Sequence, residues 1–147
     1  MREHLISGNG KKRVRGFSMV ELLIVMVIIG ILTAIAYPAY REHLFKTRRS
    51  DAMSALTQMQ MILERCYSQN FSYAAACGAI PALPQNSQQN FYSIDVANLG
   101  ATTYTITATP SGNQAQDIKC ASMTVNQANV KSAVDSGGAA APLCWNP

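Results

Sequence analysis

The residues of this 147-residue chain with the clearest chemistry are its four cysteines. They are Cys66, Cys77, Cys120 and Cys144. Structural zinc sites need closely spaced cysteines, often with histidines. No two of these cysteines have C-x-x-C spacing, and both histidines, His4 and His43, lie upstream of them. We therefore expect no metal site and no cofactor. An even number of cysteines in a short, loop-rich chain instead predicts disulfide bonds, which form in an oxidising compartment.

The sequence contains no catalytic constellation. A serine or cysteine nucleophile needs a nearby base, and no histidine lies beyond His43. The acidic residues of the C-terminal part, Asp95, Asp117 and Asp135, are far apart in sequence and predict no acid/base pair. We expect that the chain is not an enzyme.

One carboxylate lies in an unusual place. From Phe17 to Tyr37 the chain is apolar except for Glu21, and a helix of this length matches the ~30 Å hydrocarbon core of a bilayer. Three interpretations are open. The run could be a secretory signal cut after Ala36, or a plain one-pass anchor that tolerates Glu21 near one end. It could also be a span whose leader is removed between Gly16 and Phe17.

The third interpretation gives Glu21 a use. Cleavage leaves a charged amino group on Phe17, one helical turn from Glu21, which can neutralise it in its own chain or in a neighbour. Unpaired charge is costly in apolar surroundings, so this pairing would fix the register of adjacent helices. Residues 1–16 carry five basic residues against one acidic residue, and the remainder of the chain is near neutral. The net charge of +4 therefore says little about partners.

A specific resemblance is carried by the segment GFSMVELLIVMVIIGILTAIAYPAY. It resembles the class III signal and N-terminal helix of type IV pilins, in which Gly precedes the cut, an aromatic residue is N-methylated and Glu follows at the fifth mature position. Gly16, Phe17 and Glu21 match this pattern. Gly30 and Pro38 lie where family members carry a helix-weakening Gly and a kinking Pro. The resemblance implies a cleaved leader (1–16), N-methylation of Phe17 and assembly through Phe17 and Glu21.

Beyond Pro38, which should kink the helix without ending it, the sequence predicts a continuing helix. Residues 39–70 contain neither Gly nor Pro. Apolar residues recur in steps of three and four. They are Ala52, Leu56, Met59, Leu63 and Cys66. We expect Met61 and Ile62 to pack in the core with them. The prediction is one helix over about residues 17–69, with 17–37 as membrane span or filament core and 38–70 amphipathic.

Four basic residues follow Pro38 closely. They are Arg41, Lys46, Arg48 and Arg49. Glu42 and Asp51 lie among them, and few aromatic residues are interleaved to stack nucleic-acid bases. We interpret the cluster as a solvated face or as charges that pair with Glu42 or Asp51 of neighbouring subunits. Contact with DNA is the alternative, which changing Arg48 and Arg49 together to Glu would test.

The remaining residues, 71–147, predict a small globular domain. Residues 71–90 read as an irregular connection. Segments 91–99, 102–110 and 119–127 alternate as strands, the last with Met123 and Val125 facing the core, and 129–134 gives a possible fourth strand. One-sided strands with short connections favour an antiparallel meander. The predicted fold is α+β, a long kinked helix packed on a three- to four-stranded antiparallel sheet, with residues 135–147 as a flexible tail.

Two disulfide bonds are expected. Cys66–Cys77 would tie the connection to the end of the helix. Cys120–Cys144 would close the tail and resembles the disulfide-bounded C-terminal region that type IV pilins expose on the filament. This connectivity depends on proximity and on the resemblance. The crossed pairing, Cys66–Cys120 with Cys77–Cys144, is the alternative.

The resemblance implies a structural subunit of a type IV pilus, with pilus roles in adhesion, twitching motility and DNA uptake. It implies a single-pass protein of the bacterial inner membrane with a periplasmic C terminus, and later a subunit of the extracellular pilus. Its implied partners are other pilins, prepilin peptidase and methylase, and the inner-membrane assembly machinery, with DNA as a further possible partner. The C-terminal pattern, YTITATP…C…TVNQ…VK…CW, is most similar to PilE-like pilins of gammaproteobacteria.

Two alternatives belong to other classes. A pseudopilin of a type II secretion system would share the N-terminal segment, but such proteins usually carry a calcium-binding loop and lack the C-terminal disulfide. A secreted soluble binding domain would instead be cut after Ala36.

Overall fold

The computed structural model describes residues 16–74 and 80–146. One long helix, α1, comes first, and five strands follow it in chain order. Their bounds are Met19–Asn70 for α1, Gln85–Asn86 for β1, Tyr92–Ala97 for β2, Thr105–Pro110 for β3, Ser122–Asn126 for β4 and Lys131–Val134 for β5. Two 3₁₀ turns, Gly112–Gln116 and Pro142–Trp145, flank the last two strands. The chain divides into two compact units, residues 1–38 and 39–147, which are described separately.

The first unit is the part of α1 that ends at Pro38. All its described side chains are exposed, including large ones such as Leu23 and Ile35. The stretch is long and apolar enough to cross a membrane. A helix that is apolar on all sides is stable only where lipid or other helices cover it. Pro38 lies inside the helix, as predicted, and the kink stays a prediction.

The second unit packs the rest of α1 against the sheet. All five strands are antiparallel neighbours in the order β1-β2-β3-β4-β5. Alternate side chains of the strands face the helix, because the side-chain period of a strand is two. The most buried of them are Tyr92, Ile94, Ile106, Ala108, Met123 and Val125. They meet the predicted helix stripe, all of which is buried. The α+β prediction and the strand faces are therefore confirmed.

Three details of the prediction are wrong. The sheet has five strands, because β1 pairs with β2 inside the stretch expected to be irregular. Met61 is 60% exposed, since it lies off the stripe that faces the sheet. The tail is not a flexible extension: Ala140 forms a bridge with Val134 of β5.

The tail covers the outer side of β5. The backbone N–H of Ala141 donates to the carbonyl of Ala133 at 2.8 Å. The indole N–H of Trp145 donates to the carbonyl of Ser132 at 2.9 Å. These contacts place the tail where a sixth strand would otherwise pair, because β5 is at the edge of the sheet.

A disulfide joins Cys120 to Cys144, with their Cα atoms 5.9 Å apart. This bridge confirms the predicted pairing of the tail and excludes the crossed alternative. Cys66 is buried at the end of α1. Its predicted partner, Cys77, lies outside the described residues, so the Cys66–Cys77 bridge stays a prediction.

Candidate functional site

The predicted cleavage site lies immediately before α1. Gly16 and Phe17 are exposed and precede the first helical residue, Met19. An added Cβ at Gly16 would meet no heavy atom within 4 Å. Packing in the subunit therefore does not require glycine here. The same is true of Gly30, inside the helix, where the space beside the Cα is also open. A requirement for glycine at either position would come from an enzyme or a neighbouring chain.

Glu21 lies in the first turn of α1. A negative side chain is favourable there, because the unpaired N–H groups of a helix N-terminus carry partial positive charge. Phe17 is four residues earlier, so an amine on Phe17 would lie within one turn of the carboxylate. Among the described residues no basic side chain forms an ion pair with Glu21. The geometry is therefore compatible with a counter-charge that appears only after cleavage.

The basic cluster after Pro38 does not act as one group. Arg49 is buried and donates from Nε and Nη2 to the two carboxylate oxygens of Asp117, at 2.8 and 2.9 Å. It is not part of a solvated face. The planar guanidinium matches a carboxylate in this two-point arrangement, which makes the pair specific in direction as well as in charge.

The acidic residues within the cluster also have partners in the same chain. Asp51 is buried and accepts hydrogen bonds from the Ser87 hydroxyl and the Gln89 backbone N–H. The exposed Glu42 pairs with Lys119 at 2.5 Å, and this ammonium lowers the pKa of the Glu42 carboxyl. Both carboxylates therefore have partners within their own chain, and their pairing with neighbouring subunits stays a prediction.

These contacts dock the loop between β3 and β4 on α1. Gln114 donates from Nε2 to the carbonyl of Phe45 at 3.3 Å and to the Tyr92 hydroxyl at 3.0 Å. Arg41 donates to the side-chain carbonyl of Gln116. Burial raises the pKa of Tyr92 to about 12. Sequence reasoning missed this loop because its partners on α1 lie about 70 residues away and form no motif.

Two arginines of the cluster lie over aromatic rings. The Arg48 guanidinium carbon is 4.4 Å from the centre of the Phe91 ring, and that of Arg41 is 5.3 Å from the Phe45 ring. Both arginines are half-buried. Among the described residues neither has a carboxylate within 4 Å. They are the cations that the internal ion pairs leave uncompensated, together with the exposed Lys46.

A second polar group lies at the C-terminal end of α1. The hydroxyls of Tyr73 and Tyr104 both donate to Oε1 of Glu64, at 2.9 and 3.0 Å. Burial, followed by its own hydrogen bond to Glu64, raises the pKa of Tyr73 to about 12. Both phenols are therefore neutral at ordinary pH, and the arrangement anchors the end of the helix. In the part of the chain that the structure describes, no group of three or more metal-ligating side chains is present.

The comparison with protein families decides what kind of molecule this is. Residues 38–124 match the family described as "Type IV minor pilin ComP, DNA uptake sequence receptor". The chain belongs to this ComP family of type IV pilins. Residues 11–37 match the prokaryotic N-terminal methylation motif, which contains the predicted Gly16, Phe17 and Glu21. The prediction of a type IV pilin is confirmed, and pilins are structural subunits rather than enzymes.

Individual relatives agree with the family. The type IV major fimbrial protein FimA of Dichelobacter nodosus is 44% identical over 52 residues, 35% of this chain and 33% of FimA. The type IV major alpha-pilin of Moraxella bovis is 28% identical over 119 residues, 81% of this chain and 67% of that pilin. The match to this ComP-family chain thus covers about a third of the length of FimA.

A solved structure shares the fold. The non-core minor pilin PilV of Neisseria meningitidis superposes with a TM-score of 0.55, covering 68% of this chain and 96% of PilV. At 15% identity this similarity shows the pilin fold alone.

Proposed function

We propose that this ComP-family pilin is cut after Gly16, N-methylated at Phe17 and polymerised through the apolar first part of α1. Glu21 neutralises the new amine. The supporting observation is the first unit itself, a helix with exposed apolar side chains on all sides that requires lipid or neighbouring helices around it. Glycine at position 16 without any packing requirement agrees with recognition by a peptidase.

This proposal assigns the chain a location and partners. Before assembly it spans the bacterial inner membrane once, with its C terminus in the periplasm, where Cys120 and Cys144 can be oxidised. Its partners there are prepilin peptidase and methylase and the inner-membrane assembly machinery. After assembly its partners are other pilins in the extracellular pilus.

Mass spectrometry of the mature chain, purified from sheared pili, tests the cleavage. We expect N-methyl-phenylalanine from Phe17 at the N terminus. A mature chain beginning at Tyr37 would instead show a secretory signal cut after Ala36 and overturn the pilin proposal for this segment. An uncut chain would contradict it equally.

The role of Glu21 has its own test. We expect Glu21→Ala and Glu21→Gln to leave the chain in the membrane fraction and to remove it from pili. Gln keeps the shape of Glu, so a shared defect would trace to the charge. Normal incorporation of either variant would contradict the counter-charge role.

We further propose that the chain binds DNA during uptake by the pilus. The observation that carries this proposal is the family match over residues 38–124, whose description names a DNA uptake sequence receptor. That range contains the uncompensated cations Arg41, Lys46 and Arg48. Among the pilus roles, this observation favours DNA uptake over adhesion and twitching motility. It also favours a pilus over a type II secretion pseudopilus, as does the Cys120–Cys144 bridge.

Binding to a labelled duplex, measured by fluorescence anisotropy with the full chain in detergent, tests this function. We expect saturable binding that weakens steeply with salt, because phosphate contacts release counterions. Unlabelled duplexes of different sequence should compete unequally. Absence of binding, or equal competition by all duplexes, would overturn the sequence-receptor proposal.

A further inference from the structure

We infer that duplex DNA is bound at a surface of the second unit that we name the arginine–amide surface, made of Arg41 and Arg48 of α1 and the two loops beside them. These are the β1–β2 loop, residues 87–91, and the first part of the β3–β4 loop, residues 111–117. The inference rests on the proposed DNA-binding function and deepens it by naming the contact residues and their division of labour.

The first reason for choosing this surface is its uncompensated positive charge. Of the acidic residues near it, Asp117 is paired with Arg49, and Asp51 is buried and accepts hydrogen bonds from Ser87 and Gln89. The charges of Arg41 and Arg48 have no close counter-ion, since no carboxylate lies within 4 Å of either among the described residues. A polyanion is the partner that such uncompensated cations attract.

The two arginine side chains are already held in positions from which they can bind phosphates. Each guanidinium is held over an aromatic ring, and each side chain is half-buried, so little rotamer freedom remains to be lost on binding. Stacking uses the face of the guanidinium and leaves N–H donors at its edge for anions. Arg41 and Arg48 are seven residues apart on one helix, about 10.5 Å along its axis. Measured along the axis of a duplex, that distance corresponds to about three base-pair steps, at 3.4 Å each.

The adjoining loops carry groups that can distinguish bases. Their exposed side chains are dominated by amides, namely Gln88, Gln89, Asn90, Asn113 and Gln116. The two loops are tied together, because Ser111 donates from its backbone N–H to the Phe91 carbonyl and from its hydroxyl to the Asn90 carbonyl. Asparagine and glutamine amides make paired hydrogen bonds to the edge of adenine. The arginines would position the duplex and the amides would read it.

Two other cations of the described surface, Lys119 and Lys131, are less suitable. Lys119 is paired with Glu42, and both line a crevice of about 410 Å³ that also contains Asp135. Lys131 lies 5.2 Å from the Trp145 ring and lines a groove with Glu64. At both places a carboxylate would face the phosphates and weaken their binding.

The test compares charge reversals in the full chain, in detergent, with a short labelled duplex. We expect Arg48→Glu and Arg41→Glu each to weaken binding about tenfold or more and to reduce the salt dependence by about one phosphate contact. Lys131→Glu is the matched control, because it reverses another cation that lies over an aromatic ring. We expect Lys131→Glu to change the DNA affinity less than about threefold. A loss of affinity equal to that of the arginine variants would contradict the assignment of binding to this surface.

Specificity and folding complete the experiment. We expect Asn90→Ala and Asn113→Ala to reduce the difference in affinity between duplexes of different sequence, with an unchanged salt dependence of binding. An unchanged difference in affinity would contradict the proposal that these amides distinguish bases. Thermal unfolding of each variant identifies loss of fold. Should Arg48→Glu unfold, Arg48→Gln removes the charge with less disturbance and must weaken binding likewise. If the wild-type chain binds no duplex, the proposed function fails; if it binds and the arginine variants match it, only this surface fails.

Discussion

Arg49 and Asp117 form a buried two-point ion pair that joins α1 to the loop between β3 and β4. Their side chains are 4% and 2% exposed. A buried charge without its partner is far more costly than the pair is stabilising. The pair therefore fixes where the loop lies on the helix, and with it the contact of Arg41 with Gln116. It also explains why Arg49 is unsuitable for testing DNA contact, since its substitution would disturb the fold.

Breaking this pair should destabilise the second unit strongly. We expect Asp117→Asn to lower the free energy of unfolding by about 3–5 kcal/mol, because it leaves the Arg49 charge buried without a counter-ion. Urea unfolding followed by circular dichroism measures the change. Glu42→Gln, which removes the exposed pair with Lys119, is the control and should shift the midpoint little. An unfolding midpoint for Asp117→Asn equal to that of the wild type would contradict the prediction.

The apolar stripe of α1 should carry much of the stability of this unit. Leu56 is 1% exposed and faces the sheet, so Leu56→Ala should cost about 2–5 kcal/mol through lost burial and the cavity left behind. Met61→Ala removes an exposed side chain of the same helix and should stay within about 0.5 kcal/mol of wild type. Equal effects of the two substitutions in urea unfolding would mean that the stripe is assigned wrongly.

Alkaline pH should destabilise the fold through buried tyrosines. Burial raises the pKa of Tyr92 to about 12 in the folded chain, from about 10 when the phenol is exposed to water. The unfolded state therefore loses this proton first, and stability falls as pH rises from 10 towards 12. Tyr73 and Tyr104 act in the same direction, with pKa values also raised to about 12.

Thermal unfolding between pH 8 and pH 11.5 measures this decline. Tyr92→Phe should lower stability at pH 8, because Gln114 loses the hydroxyl acceptor of its hydrogen bond. The same variant should decline less steeply above pH 10, because one ionising group is gone. A slope identical to that of the wild type would show that Tyr92 does not contribute.

Removing the Cys120–Cys144 bridge should loosen the tail and destabilise the unit. The bridged residues are 24 positions apart, for which loop-closure entropy gives roughly 3–4 kcal/mol. We expect Cys120→Ser with Cys144→Ser to lower the unfolding free energy by a comparable amount. Hydrogen exchange at the Ala141 amide should accelerate as well, since that N–H bonds to the Ala133 carbonyl of β5. Unchanged protection of Ala141 would mean that the tail holds without the bridge.

The regular parts of the fold could be predicted because their signals are local. The stripe from Ala52 to Cys66 repeats with the helical period, and Tyr104, Ile106 and Ala108 alternate with the strand period. Both patterns record which side of an element is buried. The two-residue strand β1 has no room for such a pattern, and it was missed for that reason.

The polar contacts could not be predicted because nothing local marks them. Arg49 and Arg48 are neighbours in sequence with identical side chains, yet one is buried against Asp117 and the other stacks on Phe91. Asp117 lies 68 residues after Arg49. The side of the helix against which its loop packs therefore depends on the fold of the whole second unit. The segment from Gly16 to Glu21 could be predicted in a different way, because there the residue types themselves form a motif.

The tail that covers the outer side of β5 also protects the sheet against pairing with other copies of the chain. A membrane holding many unassembled copies brings their sheets together at high local concentration, and an open edge strand would let them join side by side. At one edge β1 has only two residues. At the other edge the tail pairs with β5 through Ala140 and then turns away at Pro142, which has no N–H to donate. The sheet thus offers no long template for growth. A type IV pilin must assemble into one kind of fibre, and these short or covered edges hinder a different fibre built through its strands.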